Sequence, residues 1–376
     1  MKRFLIILIC ILFVAPLIHL SGCSQGRFTD QRDIEQLLPV ETMGFDREET
    51  GITVTLATGS ILNNTAPLVL TGLASGIEPA LIRLQDYSPK DDLYLDHVQY
   101  IIIGENMAEN DITSVLDWVE RSPFMRMDTL VFLAKDNAAD TIVSASGEMT
   151  DINQRLRSLE QESNARGQHI YTLLDIASGL ADRGSALCLA VEPASSNGTV
   201  YSSRGSTAEK ALLPAGYGVL KDGKLIAYLS QAETVGAMLF KQPPTGTEVE
   251  IEGTTLELLH GNASVSGQWS GEGTLTGLSV TSHIKAGILE HDPSEKLDLD
   301  ALNQAFADTA EQWLYDVVTR SQALSCDFLA LEDMVLSERP KTGTTHDSLS
   351  WSDVFPSLPV TVQVKTEIQR GYDRTD

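Results

Sequence analysis

The sequence predicts a multi-domain protein in which an α/β part is followed by an α+β part. In the first half, two apolar runs at residues 98–104 and 130–134 flank a helical stripe, which is the strand–helix–strand order of a crossover unit. In the second half, long segments after residue 248 precede a helical stripe of about five turns. This order indicates a mostly antiparallel sheet covered by a long helix. The length of 376 residues, with 42% hydrophobic and 21% charged residues, fits two or three globular domains.

The chain begins with a segment typical of a secretory signal. Lys2 and Arg3 precede an almost wholly apolar stretch at residues 4–20, which contains Pro16. These residues would only just cross a hydrocarbon core of about 30 Å, and the proline weakens them as a permanent membrane helix. We therefore predict that residues 1–22 are removed after export.

Cys23 directly follows the triplet Leu20-Ser21-Gly22, and the four residues form a lipobox. At this pattern, bacterial lipoproteins are acylated on the cysteine thiol and cut just before it. Several acyl chains on one residue give stable membrane anchoring, because each buried methylene contributes about 0.8 kcal/mol. We predict lipidation at Cys23, followed by a polar tether that ends at residue 29, so that the tether spans 23–29. The alternative is an ordinary signal peptide with an incidental cysteine.

The mature chain is strongly acidic. The whole sequence has a formal net charge of −25, from 27 basic and 52 acidic residues. Removal of residues 1–22 takes away Lys2 and Arg3 but no acidic residue, which leaves 25 basic residues and a charge of −27. Such a body is repelled by nucleic acid and by anionic lipid. We expect no nucleic-acid partner, and we expect membrane contact through the lipid anchor.

Hydrophobic periodicity predicts the elements of the first half. Alternation with period two at residues 52–56 indicates a half-buried strand, and the acidic, glycine-containing residues 46–51 would join it to the preceding strand as a hairpin. The apolar run at residues 98–104 ends at a glycine and indicates a central strand covered on both faces. The predicted elements are strands at 41–45, 52–56, 98–104, 130–134 and 186–191, and helices at 74–86, 112–119, 151–164 and 171–180.

A stretch rich in serine, glycine and threonine separates this half from the second. Residues 193–209 contain almost no large apolar side chain, so we predict a linker or exposed loop at 193–212. Beyond it, the Asp-Gly pair within residues 221–224 predicts a tight primed turn between two strands. The predicted elements of this half are strands at 216–220, 225–229, 248–259, 263–269, 275–289 and 360–365, and a helix at 299–317.

The sequence shows no catalytic, cofactor-binding or metal-binding motif in the structural context that such a motif requires. Residues 22–26 match the nucleophile pattern G-x-S-x-G, but they straddle the lipidation site and lack the strand and helix that the motif requires. No phosphate-binding loop, H-E-x-x-H or C-x-x-C pattern occurs, and the histidines are dispersed. His97 beside Asp96 is better explained as a structural residue than as a catalyst. For Cys188 and Cys326 we favour separate buried thiols over a disulfide.

A series of short motifs runs in order along nearly the whole chain. In the first half, DQRDIE at 30–35 follows the lipobox, MGFD stands at 43–46, and HVQYIIIGE at 97–105 precedes Arg121-Ser122-Pro123. In the second half, the motifs are GVLKDGKL at 218–225, SQALSCD at 321–327 and WSDVFP at 351–356. The series resembles that of the Ger(x)C family of spore germination lipoproteins, the third subunit of nutrient germinant receptors. The tryptophan usual before the first motif is missing, and Ala330 stands in a segment where the family usually has a glycine.

The resemblance implies a mature body of three α/β or α+β domains and no known enzymatic activity. It implies a place on the outer face of the inner spore membrane, with two integral-membrane partners, the A-type and B-type receptor subunits. It divides the mature chain into an N-terminal domain at 30–192 and a C-terminal domain at 213–373, with 147–192 alternatively joining a middle domain. The polar motif positions that it makes candidate interaction residues are Arg32, Asp33, Glu105, Arg121 and Gln322.

We therefore interpret the chain as a lipid-anchored, non-catalytic subunit of a spore nutrient germinant receptor. The alternative is a substrate-binding lipoprotein of a transporter. That class would have two similar βα-repeating lobes around a ligand cleft, which fits poorly with the long strands predicted after residue 248. A third interpretation, an envelope hydrolase, would rely on Asp96 and His97.

Overall fold

Two β-sheets organise the fold, which is known from a computed structural model. The structure describes residues 37–59, 68–88, 92–146, 151–194, 211–241, 244–271, 273–292, 294, 297–337 and 350–369. The predicted signal, tether and lipidation site at Cys23 lie outside these residues. Most of the predicted linker, residues 195–210, lies outside them as well.

The larger sheet contains nine strands of the described chain. In spatial order they run β3-β2-β1-β5-β6-β7-β8-β9, and β4 pairs with the start of β1. The four central strands β1, β5, β6 and β7 are parallel, and antiparallel strands extend the sheet at both edges. The strand bounds are β1 Leu37–Glu48, β2 Gly51–Thr58, β3 Val69–Ala74, β4 Asp92–Tyr94, β5 Tyr100–Ile103, β6 Leu130–Ala134, β7 Ser185–Pro193, β8 Leu212–Lys221 and β9 Lys224–Tyr228.

Helices cover both faces of this sheet. On one face, α1 (Ile77–Tyr87), α2 (Glu105–Asn110), α3 (Thr113–Arg121) and α6 (Leu173–Arg183) share a core with the strands. On the other face lie α4 (Ala138–Ala145) and α5 (Ile152–Ala165), together with the smaller sheet. The buried strand β5 shows the consequence: Tyr100 and Ile102 belong to one core, and Ile101 and Ile103 belong to the other. The predicted crossover unit and its doubly covered strand are therefore confirmed.

The smaller sheet contains four strands of the described residues in the order β10-β11-β12-β13. Its strands are β10 Thr247–Ile251, β11 Thr254–Trp269, β12 Leu275–Glu290 and β13 Val360–Gln369. The helices of this half are α7 Gln231–Lys241, α8 Leu299–Ala323, α9 Leu331–Ser337 and α10 Trp351–Val354. The predicted long helix is confirmed as α8, which buries its apolar stripe from Leu302 to Val317 on this sheet.

Two predictions for the smaller sheet need correction. The strand predicted at 248–259 is a hairpin, because Glu252 and Gly253 adopt positive φ angles of 49° and 71° and turn the chain between β10 and β11. The gap between the predicted strands at 248–259 and 263–269 does not occur. Strand β11 runs continuously from Thr254 to Trp269, and its irregular residues appear as shifts in the pairing register with β12. In addition, β13 pairs with β12 in parallel, so the sheet is mixed at this edge.

The hairpin β8–β9 lies in the larger sheet. The predicted primed turn is confirmed, since Asp222 and Gly223 have φ angles of 49° and 79°. β8 pairs with β7 in antiparallel register from Ser185↔Lys221 to Pro193↔Leu212. A hairpin from the second half of the sequence thus completes the sheet of the first half.

Helix α7 connects the two sheets. All seven residues from Thr234 to Phe240 are buried, because the helix is enclosed on all sides. It packs against α8 at Gly236, where a Cβ atom would overlap the backbone oxygen of Trp313 and lie 2.9 Å from Cγ1 of Val317. One hydrophobic core extends from the larger sheet through α7 to the smaller sheet and α8.

Candidate interaction surface

The predicted site residues lie in separate parts of the fold. Cys23, Arg32 and Asp33 fall outside the described residues. Glu105 begins α2, Arg121 ends α3, and Gln322 lies near the end of α8. The structure brings none of these last three into contact with another within the part of the chain that it describes.

Gln322 is a buried residue that supports a neighbouring turn. Its Nε2 donates hydrogen bonds to the carbonyl oxygens of Phe355 and Leu358, at 2.8 and 2.9 Å. The side chain is 8% exposed. It therefore fixes the turn that leads into β13, and it presents little surface to a partner.

Glu105 lies beside Tyr228 of β9, where α2 meets the edge of the larger sheet. Burial and the negative charge of Glu105 raise the pKa of Tyr228, so that its hydroxyl stays protonated at neutral pH. The ammonium of Lys135 lies 5.1 Å from the centre of the same ring, which is a cation–π distance. Glu105 thus belongs to a mixed polar cluster at this edge.

The motif residues Asp46 and Gly104 support the start of α4. The Asp46 carboxylate accepts hydrogen bonds from the backbone N–H groups of Ala138 and Ala139, at 2.7 and 2.9 Å. A Cβ atom on Gly104 would overlap this carboxylate. The glycine that follows the apolar run of β5 therefore leaves space for a buried helix cap.

Residues 321–330, which begin with the motif at 321–327, form a joint between the two sheets. Asp327 caps α9 by accepting hydrogen bonds from the N–H groups of Leu331 and Glu332, each at 2.9 Å. Ser185 of β7 donates its hydroxyl to the carbonyl of Asp327, at 3.0 Å. Lys221 of the β8–β9 hairpin donates to the carbonyl of Leu324, at 3.1 Å. Two strands of the larger sheet therefore hold this loop, and α9, which the loop caps, packs against β11 of the smaller sheet.

Cys188 and Cys326 are free and buried, as predicted. The Cys326 thiol lies in the same joint, 3.9 Å from the carbonyl oxygen of Leu220. Burial raises the pKa of Cys326 to about 11, and burial also raises the pKa of Cys188. Both thiols therefore remain protonated at neutral pH and act as small apolar side chains.

Ala330 occupies a backbone conformation that favours glycine, with a φ angle of 60°. We expect Ala330→Gly to raise the free energy of unfolding by up to about 1 kcal/mol, because the left-handed conformation costs an L-residue about 1–2 kcal/mol and glycine loses part of that gain to entropy. Urea unfolding measures the change. Ala307→Gly within α8 is the matched control and should lower stability by about 1 kcal/mol. Equal destabilisation by both changes would contradict the assignment.

A groove of about 700 Å³ lies between α1 and α3, and we call it the α1–α3 groove. Its walls are largely apolar, and its volume lies within the range of ligand and peptide sites. Ile82 and Phe124 are each 54% exposed there. The lining residues are Glu78, Leu81, Ile82, Gln85, Leu93, Leu95, Asp117, Trp118, Arg121, Ser122, Pro123 and Phe124.

Polar groups at the groove pair with one another. The indole N–H of Trp118 donates to Glu78 at 3.1 Å, and Arg121 forms an exposed ion pair with Asp117 one turn earlier in α3. Arg121 is therefore a rim residue, and the R-x-P motif forms one end of the groove. The periodicity of the sequence did not predict the walls of the groove, because Ile82 and Trp118 lie outside the buried stripes of their helices. Apolar residues outside the stripe on two neighbouring helices are the signal that could have revealed the groove.

Asp96 and His97 line a polar cleft of about 320 Å³ at the start of β5 and β6. The Tyr100 hydroxyl donates a hydrogen bond to Glu160 at 3.0 Å. Burial is the largest influence on Tyr100, and together with the negative charge of Glu160 it raises the pKa of this residue to about 12. Arg126 and Asp128 in the same cleft form an ion pair with each other. His97 packs edge-on against the ring of Tyr94, 5.2 Å between centres. The ring contact with Tyr94 holds the His97 imidazole at the side of this cleft.

The described residues contain neither a cluster of metal ligands nor a membrane-spanning helix. No three potential metal ligands come together in the part of the chain that the structure describes. No helix among the described residues is long and apolar enough to span a bilayer. The α1–α3 groove is the candidate interaction surface of the described residues.

The sequence matches two family models in succession. Residues 30–192 match the family described as "Spore germination protein N-terminal domain". Residues 215–372 match the family described as "Spore germination B3/ GerAC like, C-terminal". No curated protein sequence matches the chain.

The fold is similar to a solved structure described as "Crystal Structure of the GerBC protein". The TM-score is 0.55 at 17% sequence identity, and the alignment covers 87% of this chain and 96% of that chain. At this identity the similarity concerns the fold. It extends over most of the length of both chains.

Proposed function

The chain belongs to the Ger(x)C family of spore germination proteins, and from this membership we propose that it is the lipid-anchored, non-catalytic subunit of a nutrient germinant receptor. The observation that carries the proposal is the match to both family domains in the family's order, over residues 30–192 and 215–372. The lipobox at residues 20–23 stands directly before the first match.

The proposed anchor explains how an acidic body stays at a membrane. A charge of −27 on the mature chain opposes binding to anionic lipid, so the acyl chains on Cys23 supply the attraction. The body would lie on the outer face of the inner spore membrane, beside integral A-type and B-type subunits. Confinement to this layer raises its effective concentration for them, and weak contacts then suffice for assembly.

The absence of catalysis is part of the proposal. The motif residues Asp46, Gln322 and Asp327 use their polar atoms for internal hydrogen bonds. The transporter alternative gains no support, because the two sheets differ in strand number and topology and do not form two similar lobes. We also propose that the chain divides into domains at 30–192 and 213–373 with a linker at 193–212.

Substitution at Cys23 tests the anchor and the role together. In spores that carry the chain as their sole copy, we expect Cys23→Ser to move the protein from the membrane fraction to the soluble fraction. Nutrient-triggered germination should be lost or greatly slowed, while germination forced by a treatment that needs no nutrient stays normal. Both readouts depend on the same thiol because the tether localises the body.

The matched control is Cys10→Ser, which changes the other cysteine of the signal region. This variant should remain in the membrane fraction and germinate like the wild type. Mass spectrometry of the native protein that showed Cys23 without acyl chains would refute the lipid anchor. Normal nutrient germination of spores that lack the chain altogether would refute the receptor role.

A further inference from the structure

The α1–α3 groove exposes apolar side chains that a soluble surface normally covers. Its floor includes Leu81 and Trp118, and Ile82 and Phe124 stand half-exposed on its two sides. At the rim, Glu78 accepts a hydrogen bond from Trp118, and Arg121 pairs with Asp117. These pairs lie beside the apolar side chains and leave them uncovered. A patch of this kind, apolar within and polar at the rim, is typical of a docking surface.

The described chain begins at the wall of this groove. Leu37 at the start of β1 pairs with Asp92 of the parallel strand β4, and Leu38 pairs with Leu93. Leu93 lines the groove, and its backbone N–H donates to Gln85 of α1 at 2.8 Å. The residues that precede Leu37 therefore enter the fold next to the groove.

We propose that residues 28–36 dock into the α1–α3 groove of the same chain. The length of the segment is sufficient. α1 has 11 residues, so it is about 16 Å long, and about five extended residues cover that distance. Residues 28–36 can follow the groove and still reach β1.

The chemistry of the segment matches the groove. Phe28 and Ile34 are its two large apolar side chains, and polar residues surround both. Ile34 lies three residues before Leu37, within about 10 Å along an extended chain, which places it in reach of the groove wall at Leu93. Arg32, between the two apolar residues, carries positive charge toward a rim that contains Glu78. The segment thus offers apolar anchors and a cation to an apolar groove with acidic edges.

Docking would set the distance between the body and the membrane, a consequence that rests on the proposed anchor at Cys23. With the segment docked, residues 24–27 remain as free chain and span at most about 14 Å. With the segment free, residues 24–36 span up to about 45 Å. Docking therefore holds the groove side of the body toward the membrane.

Cysteine labelling tests the docking itself. In the full mature chain with Cys23→Ser, single cysteines are introduced by Ile82→Cys, by Phe124→Cys and by Leu174→Cys. Leu174 is the matched control, because it is also 54% exposed but lies on α6 outside the groove. We expect maleimide to modify the two groove positions at least about tenfold more slowly than position 174, the factor that burial of one isoleucine side chain supports.

A second substitution identifies the occupant. Adding Ile34→Asp should bring labelling at position 82 up to the rate at position 174, and Gln31→Ala should leave the protection in place. Protection that grows with protein concentration would assign the groove to a second copy and overturn the proposal. Fast labelling at position 82 in the otherwise unchanged chain would overturn it as well. The receptor role is not at stake here, because the assay contains neither membrane nor partner subunits.

Discussion

Gly236→Val is expected to separate α7 from α8 and to lower the free energy of unfolding by about 3 kcal/mol or more. The Cβ atom would overlap the backbone oxygen of Trp313, and backbone atoms cannot move aside as a flexible side chain can. α7 has no exposed side on which the strain could be released, since seven consecutive residues are buried. The damage should therefore reach both sheets, because one core joins them through this helix.

Chemical denaturation followed by tryptophan fluorescence measures this effect. Trp313 lies in α8 at the contact itself, so its emission should shift toward that of an exposed indole in the variant. Gly271→Ala is the matched control, because a Cβ atom there meets nothing within 4 Å. The control should change stability by less than about 0.5 kcal/mol. If Gly236→Val unfolded like the control, the close contact between α7 and α8 would be wrong.

Asp327→Ala is expected to lower the free energy of unfolding by about 2–3 kcal/mol, since it removes a helix cap and leaves two N–H groups without their charged acceptor. Asp327 is 8% exposed, and its carboxylate accepts hydrogen bonds from the N–H groups of Leu331 and Glu332 at the start of α9. Water cannot easily replace it at this joint. Differential scanning calorimetry should show a lower melting temperature for the variant.

The loss of stability caused by Asp327→Asn is expected to depend on pH. Burial is the largest influence on Asp327 and raises the pKa of its carboxyl above the ordinary value of 3.8, against the lowering effect of the two N–H groups. A raised pKa in the folded state means that the folded protein binds the proton more tightly than the unfolded chain. The contribution of Asp327 to stability is then greatest at a pH below the pKa that its carboxyl has in the unfolded chain. This contribution is lost as the pH rises through the higher pKa that the carboxyl has in the folded protein.

The loss caused by Asp327→Asn should accordingly be larger at acid pH than at neutral pH. Asp333→Asn is the matched control, because this acid lies in α9, the helix that Asp327 caps, but is exposed and pairs with Arg183 at 3.5 Å. Its effect on the free energy of unfolding should be less than about 0.5 kcal/mol. A loss for Asp327→Asn that grows from acid to neutral pH would show that the charged form is the stabilising one.

The sequence predicted the elements whose burial pattern is unambiguous. The run that became β5 is apolar at every position because both faces of the larger sheet are covered, and α8 shows a clean stripe because only one side faces a sheet. The β8–β9 turn was predictable from Asp222-Gly223, since few residue pairs accept two positive φ angles.

Elements that depend on tertiary packing were missed. α7 reads as a short apolar run without helical periodicity, because all of its sides are buried. The turn at Glu252-Gly253 was missed because its flanking residues continue the alternation of a single strand. The α1–α3 groove depends on which faces of two helices meet, and the membership of β8 and β9 in the larger sheet depends on long-range pairing. Local sequence contains neither kind of information.

The antiparallel pair β7–β8 has a consequence for biosynthesis. A nascent chain that has just left the ribosome with β7 complete still lacks its neighbour, which arrives only after residue 212 has been translated. Until then one flank of the central sheet is an open edge that other nascent chains can join. The first half of the protein therefore depends on its own downstream hairpin to cover the edge of β7.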